Sequence, residues 1–358
     1  MHSDETIALG HLDRMSDSTG LIQHAIYNLP RRESGYTTDD NARALRLCVR
    51  LWCRRPDERM LNRVAVYLSF LEHARCPVRG FHNFMSYQRD WLDAAGTGDC
   101  QGQAVLALAE VLGSNLPEGF RALARELIDM VLPTLADLRS LRAEAYIILA
   151  WGQLCAAGVT NVEQFENVAR QSARRLVECF HRSKRADWPW FESRMTYANA
   201  VLPQALFVAA RCWPDGPFLE VAEESFRFLD QVTTDADTFW PIGNCDWYPH
   251  GEAKAAYDQQ PVEASTMAEA ALTAYGLRDD ERYLEIFRRA HRWFHGENSL
   301  GLPLADVESG GCSDGLTASG VNHNQGAEST FAYLWTELLN STVQNSGSES
   351  HRATIAAK

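Results

Sequence analysis

No apolar run in the chain approaches the roughly 18 residues of a membrane-spanning helix. It opens Met1-His2-Ser3-Asp4-Glu5, with neither a basic stretch nor an apolar one behind it, which argues against a secretory leader. A basic surplus is missing: 34 Lys and Arg stand against 47 Asp and Glu, a formal charge of −13. That balance excludes a sequence-independent grip on nucleic acid and disfavours an anionic membrane surface. Paired cysteines are missing as well. The nine present are odd in number and dispersed, the pattern of reduced thiols, so a cytoplasmic protein is expected. No long apolar/polar alternation occurs, and no Asn-Gly or Asp-Gly pair joins two such runs, so a β architecture is not expected. His-Glu-x-x-His, Walker A and Gly-x-Ser-x-Gly strings are all absent. Gly96 to Gly102 has one residue too many for a dinucleotide fingerprint and follows no strand signal. These absences predict no metal and no cofactor.

What is present is helix. Of the 358 residues 46% are apolar, enough for a sizeable core, and 23% are charged, ordinary for a soluble protein. Leu45, Cys48, Val49 and Trp52 follow the i, i+3, i+4, i+7 stripe, as do Val105, Leu108, Ala109 and Leu112, and Phe331, Leu334, Trp335 and Leu338. Ala143 to Gly152 is apolar nearly all round, the mark of a helix buried on both sides. Longer, more charged helices are predicted over 57–75, 118–136, 162–183, 217–231 and 280–296. Five polar knots, each followed by an Ala/Leu-rich helix, recur about every 60 residues with one double gap, a helical repeat. They are Gly35 to Leu45, Gly98 to Ala104, Glu192 to Ala205, Tyr257 to Ala264 and Asn322 to Glu328. Buried helices are therefore expected to begin near 40, 101, 142, 198, 261 and 326, ringed by the outer ones. That is an all-α (α/α)6 toroid over 1–340 as a single domain, with a disordered Ser/Asn/Gly-rich tail over 341–358.

The knots carry the candidate chemistry. Thr38 is the expected N-cap of the first buried helix, with Asp39, Asp40 and Asn41 in its first turn. One Asp serves as a helix-end acid; two adjacent ones are harder to explain that way, and Arg43 one turn on can pair with either. Asp187 to Glu192 sets Trp188, Trp190 and Phe191 beside a carboxylate. It reads either as a loop plugging the ring or as a platform for the C–H faces of pyranose rings. Trp240 to Asn244 and Trp247-Tyr248-Pro249 have the same character. Asp258-Gln259-Gln260-Pro261-Val262-Glu263 is the densest cluster, with Pro261 suited to the first helical position. Glycoside chemistry needs two carboxylates about 5 to 10 Å apart. Asp39, Asp40, Glu192, Asp258, Glu263 and Glu328 are candidates, and no spacing fixes which two face each other. The amide-rich knot at 322–328 suits hydroxyl recognition or capping of the last inner helix.

With these residues the chain resembles the six-hairpin glycosidase superfamily. More narrowly it resembles a bacterial helical domain often fused behind a glycosyltransferase. The matching strings are Asp17 to Ala25 (Asp-x-Thr-Gly-x-x-Gln-His-Ala), Gly35 to Leu45 (Gly-Tyr-x-x-Asp-Asp-Asn-Ala-Arg-Ala-Leu), Asp258 to Ala264 and Asn322 to Thr330. The resemblance spans about 10–340. It departs at Gln103, where the family has Arg, and at Ala198, where it has Asp, which implies a changed substrate or weakened activity. A glycoside hydrolase acting on a short oligosaccharide or glycoconjugate is the leading expectation. Asp40 and Glu263 are the expected pair, with Asp39, Glu192 and Asp258 next. Tyr36, Trp188, Trp190 and Trp247 are expected against sugar rings, and Gln259, Gln260, Asn324 and Gln325 against hydroxyls. Asn41, Arg43, His82, Tyr197, Asn199 and Glu328 complete the expected site. A sugar epimerase or lyase, with His24, His82 or His323 as base, is one alternative. A non-catalytic binding domain assisting a partner glycosyltransferase is the other.

Overall fold

The computed structural model describes residues 7–76 and 79–346. Among them, twelve helices account for the architecture: α1 (Gly10–Met15), α2 (Thr38–Arg54), α3 (Glu58–His73), α4 (Gly98–Leu112), α5 (Glu118–Ala136), α6 (Leu141–Ala156), α7 (Glu163–Ser183), α8 (Val201–Cys212), α9 (Phe218–Val232), α10 (Pro261–Arg278), α11 (Glu281–Phe294) and α12 (Ala327–Ser346). The even-numbered helices from α2 to α12 pack each on the next, and α12 returns onto α2 to close the ring. Each of α3, α5, α7, α9 and α11 packs on the inner helix beside it, so the expected (α/α)6 toroid is the fold. Among the described residues the sixth outer place has no long helix of its own; the short α1 and the 311–312 strand lie against α12 instead. Two-stranded antiparallel pairs, such as Tyr36–Thr37 with Phe84–Met85, line the rim loops. No helix among the described residues is long and apolar enough to cross a membrane.

Sequence composition explains the two layers. In α6 the side chains from Ala143 to Gly152 are all buried, because inner helices have neighbours on every side. The charged outer helices bury one stripe, as Tyr283, Ile286, Phe287, Ala290, Trp293 and Phe294 do in α11. Gly102 sets the spacing of α4 against α6: a Cβ there would lie 2.9 Å from Tyr146 Cβ.

Buried charge ties the ring together. Arg46 on α2 meets Glu110 on α4 at 3.0 Å and Glu269 on α10 at 3.1 Å, and its guanidinium stacks 4.5 Å over the Trp335 ring on α12. Arg50 takes the other Glu110 oxygen at 2.9 Å. Mutual pairing is what makes such charges tolerable away from water.

Four boundaries differ from expectation, the first being α4, which starts at Gly98 and not near 101. The N-cap of α2 is Thr37, whose Oγ1 accepts from Asp40 N–H at 3.3 Å; Thr38 turns away and donates to the His82 carbonyl. Helix α8 starts at Val201 and not near 198, because Ala198 is held in a left-handed conformation (φ 46°). Helix α12 continues to Ser346, six residues into the expected tail, and Arg54 donates to the Leu338 carbonyl at 2.6 Å beside it. Residues 347–358 of that tail lie outside the described residues.

Candidate active site

The first turns of the inner helices bring the polar knots to one mouth. Arg43, one turn into α2, is its hub. Its Nη1 lies 2.9 Å from Asp40 Oδ1 and 3.8 Å from Asp39 Oδ2, and its Nη2 lies 2.9 Å from Glu328 Oε2 on α12. The three acids differ in access: the side chains of Asp40, Asp39 and Glu328 are 6%, 24% and 41% exposed. Burial pushes Asp40 up to about 7, the Asp39 charge adds to that, and Arg43 and the Thr37 hydroxyl oppose it. Thr37 Oγ1 donates to Asp40 Oδ2 at 2.6 Å.

Below Arg43 the bore narrows to a cavity of about 30 Å³, lined by Gln103, Tyr146, Gln204 and Thr266 among others. Such a space holds a water or two and no sugar ring. Gln103 and Gln204 each present a buried Oε1 without a hydrogen-bond partner among the described residues. Gln103 occupies the position where the resembled family has Arg.

Glu263 and Asn199 belong to a second cluster, at the start of α8. The Glu263 carboxylate accepts from Ala198 N–H, from Asn199 N–H at 3.5 Å and from Asn199 Nδ2 at 3.1 Å. Burial raises it to about 7 while these donors pull the other way. It therefore pins the left-handed turn that precedes α8.

Beside it, Arg142 gathers the 192–199 segment. It donates to the Tyr197 carbonyl at 2.6 Å, to Thr196 Oγ1 at 2.7 Å and to Glu192 Oε2 at 3.0 Å, and it lies 4.7 Å over the Tyr197 ring. The Tyr197 hydroxyl donates to Asp99, whose other oxygen accepts from Ser140 Oγ at 2.8 Å. Arg142 was not among the sequence candidates. The signal was there: a cation opening a helix that is apolar on every side needs buried partners.

Several expected sugar contacts are core instead. Trp188 and Trp190 are 2% and 0% exposed, so neither offers a face to a pyranose. Trp188 packs edge-on against Phe228 and Tyr248 and donates its Nε1–H to the Glu192 carbonyl at 2.7 Å. Tyr36 is buried with its hydroxyl donating to Asp17 Oδ2 at 2.7 Å. Asn41 is buried too, accepting from Leu21 N–H at 2.9 Å and donating to the Thr37 carbonyl at 2.8 Å. Gln259 is fully buried, bridging the Ala256 carbonyl, Ser299 and Trp293 Nε1. Asn324 Oδ1 accepts from Tyr27 N–H at 2.9 Å, and Gln325 donates its N–H to the Tyr27 carbonyl, so both brace the rim hairpin at 25–30. Asp258 is exposed with a left-handed backbone (φ 56°), Gln260 is half-buried as the residue before α10, and Trp247 is half-buried with Nε1–H donating to Asn244 at 2.7 Å. His82 stacks on Trp91 at 5.0 Å, and its Nδ1 lies 2.8 Å from the Asp93 carbonyl oxygen, an acceptor, so Nδ1 is the donor in that contact.

No protein-family model matches the chain, and no curated protein matches it. Solved structures do. A cellobiose 2-epimerase from Bacillus thermoamylovorans is 12% identical with a TM-score of 0.73, over 95% of this chain and 97% of that one. A cellobiose 2-epimerase from Spirochaeta thermophila is 15% identical with a TM-score of 0.68, over 93% of each chain. A GH76 α-mannanase from Bacteroides thetaiotaomicron is 8% identical with a TM-score of 0.66, over 93% of this chain and 92% of that one. The fold of this chain is the (α/α)6 toroid that these structures share.

Proposed function

We propose that the chain is a carbohydrate-active enzyme, and specifically a glycoside hydrolase acting on a short oligosaccharide or glycoconjugate at the mouth of the ring. The observation that carries this reading is the single guanidinium of Arg43 shared by Asp40 and Glu328, 2.9 Å from each. One guanidinium between two carboxylates caps their separation at roughly 8 Å, within the span of about 5 to 10 Å that acid/base pairs on glycosides use. Asp40, raised to about 7, is the proton-holding acid for the leaving oxygen. Glu328, the most open of the three, is the base that activates water, and Asp39 keeps Asp40 protonated. Glu263 moves from the expected pair to a positioning role, since its carboxylate is taken up by the turn before α8. Because the bore below is too small for a sugar ring, the ring sits on the rim, where Tyr197 is the exposed aromatic beside Asp99.

A second reading, a sugar epimerase, is favoured by His82, whose ring is held by the Asp93 carbonyl and the Trp91 stack with Nε2 on its far side, as a base at a C–H carbon needs. Two of the similar structures are cellobiose 2-epimerases. One experiment separates the two. The protein is incubated in D2O with manno- and gluco-oligosaccharides and with aryl glycosides, and products are followed by NMR. The hydrolase reading expects new reducing ends, lost in Asp40→Asn and Glu328→Gln. Deuterium at C2 without bond cleavage, lost in His82→Gln, establishes the epimerase instead. Sugar binding without turnover, unchanged in all three variants, leaves a binding domain and sinks both.

A further inference from the structure

Away from the mouth, between α11 and α12, lies a cluster that the proposed reaction does not use. His291 and His295 stand one helical turn apart, at the end of α11, so their imidazoles share a face. Both aim at one atom of the neighbouring inner helix: His291 Nε2 is 2.9 Å and His295 Nε2 is 2.8 Å from Glu337 Oε1. The three ligand atoms lie within 4.8 Å of one another. Their side chains are 17%, 34% and 23% exposed, so the cluster is shielded on one side and open on the other. The Phe287 ring stacks on His291 at 6.2 Å and the Tyr333 ring meets His295 edge-on at 6.0 Å, which fixes both imidazole planes.

We propose that His291, His295 and Glu337 form a binding site for a divalent transition-metal ion, with zinc as the best-matched occupant. The donor set decides the metal: two imidazole nitrogens and one carboxylate oxygen suit zinc, whereas calcium and magnesium take oxygen ligands. Zinc sits about 2.0 to 2.2 Å from such donors, which sets ligand atoms roughly 3.3 Å apart in a tetrahedron. The Nε2–Oε1 distances need to open by only a few tenths of an ångström to admit it. Water from the open side completes the coordination.

The position gives the ion a structural consequence. Among the described residues, helix α12 is the inner helix without a long outer helix of its own, and it also carries Glu328 at its first turn. A metal shared by α11 and α12 staples that seam of the ring. The signal in sequence was His291-x-x-x-His295; its carboxylate comes from another helix, so no local motif contains all three ligands.

The test uses the full chain, stripped with EDTA and titrated with zinc chloride against a chromophoric chelator. Wild type is expected to bind one ion per chain and to melt at a higher temperature with zinc than without. Glu337→Gln and His295→Gln are expected to bind at least about a hundredfold more weakly, at or beyond what loss of an outer-sphere partner alone produces. Both variants should lose the zinc-dependent rise in melting temperature. The half-exposed His295 keeps the test open if the Glu337 variant folds poorly. Cobalt(II) supplies an independent readout: visible d–d bands without a thiolate charge-transfer band. A thiolate band, which places the ion on free cysteines such as Cys155 and Cys212, overturns the proposal. So does the absence of stoichiometric binding, or affinity unchanged in both variants, which leaves a hydrogen-bonded His–Glu cluster only.

Discussion

Arg43 in the second turn of α2 reaches Glu328 in the first turn of α12 at 2.9 Å, so the seam that closes the ring is also bridged by charge at its mouth. The same guanidinium holds Asp40 at 2.9 Å. Replacing Glu328 with Gln keeps the shape and removes the base of the proposed hydrolase. The expected outcome is a fall in kcat of about 10²- to 10⁴-fold. The melting temperature should change little, because a pair with one partner this exposed contributes no more than about 1 kcal/mol. Arg43→Met behaves differently: it strips a buried acid of its counter-charge, so Asp40 holds its proton to higher pH and the fold weakens. Steady-state kinetics and thermal melts of the two variants, side by side, check both statements.

Asp40 and Glu263 both carry folded-state values raised to about 7 by burial. In the unfolded chain they titrate near their ordinary values of about 4. Between those limits the folded state binds more protons than the unfolded one, so stability falls as pH rises from about 4 through about 7. Their contribution is fully present below the unfolded values and lost above the folded ones. Glu263→Gln removes one of the two groups and should flatten the slope of denaturant stability over this window. A variant with the wild-type slope would show that Glu263 does not titrate in it. If Asp40 is the acid, kcat/KM also declines above about pH 7.

The layers of the toroid were legible because they rest on periodicity. Ala143 to Gly152 and Tyr283 to Phe294 differ in how many sides are apolar, and that difference is inner against outer helix. Pro261 opened its helix as expected. The site was less legible because its pairings are between distant segments. Nothing near Glu263 in sequence announces the Ala198–Asn199 turn that occupies it, and nothing near Trp190 announces that the 187–192 loop folds inward. Gln259 looked like a hydroxyl binder from its acidic neighbours; in the fold its amide satisfies Trp293, Ser299 and a carbonyl. Residue type gave the chemistry available, and tertiary contact decided which groups were already committed.

The Arg46–Glu110–Arg50 cluster predicts a stability defect with no catalytic signature of its own. Glu110 is buried and is shared by both arginines at 3.0 and 2.9 Å. Glu110→Gln leaves Arg46 with Glu269 alone inside the ring, and removing one partner of a buried ion pair costs about 3 to 5 kcal/mol. Equilibrium denaturation should show that loss. A drop below about 1 kcal/mol would mean that water reaches Arg46 and takes over for Glu110.

Trp190 and Tyr197 lie in the same rim segment and should separate cleanly. Trp190 has no exposed surface, packs edge-on against Phe191 at 5.2 Å, and has an indole N–H without a hydrogen-bond partner among the described residues. Trp190→Ala therefore destabilises by about 3 to 5 kcal/mol through the cavity it leaves. Trp190→Phe loses volume but also removes an unsatisfied donor, so it is far milder. Neither changes sugar affinity per folded molecule. Tyr197 is 41% exposed, with its hydroxyl on Asp99 and its ring under Arg142. Its removal costs little stability and about 0.5 to 1.5 kcal/mol of ring stacking, a several-fold rise in KM. Calorimetric binding of an oligosaccharide to each variant, alongside its melting curve, tests the division: a Trp190→Phe protein that folds normally yet no longer binds sugar would return the 187–192 loop to the binding surface.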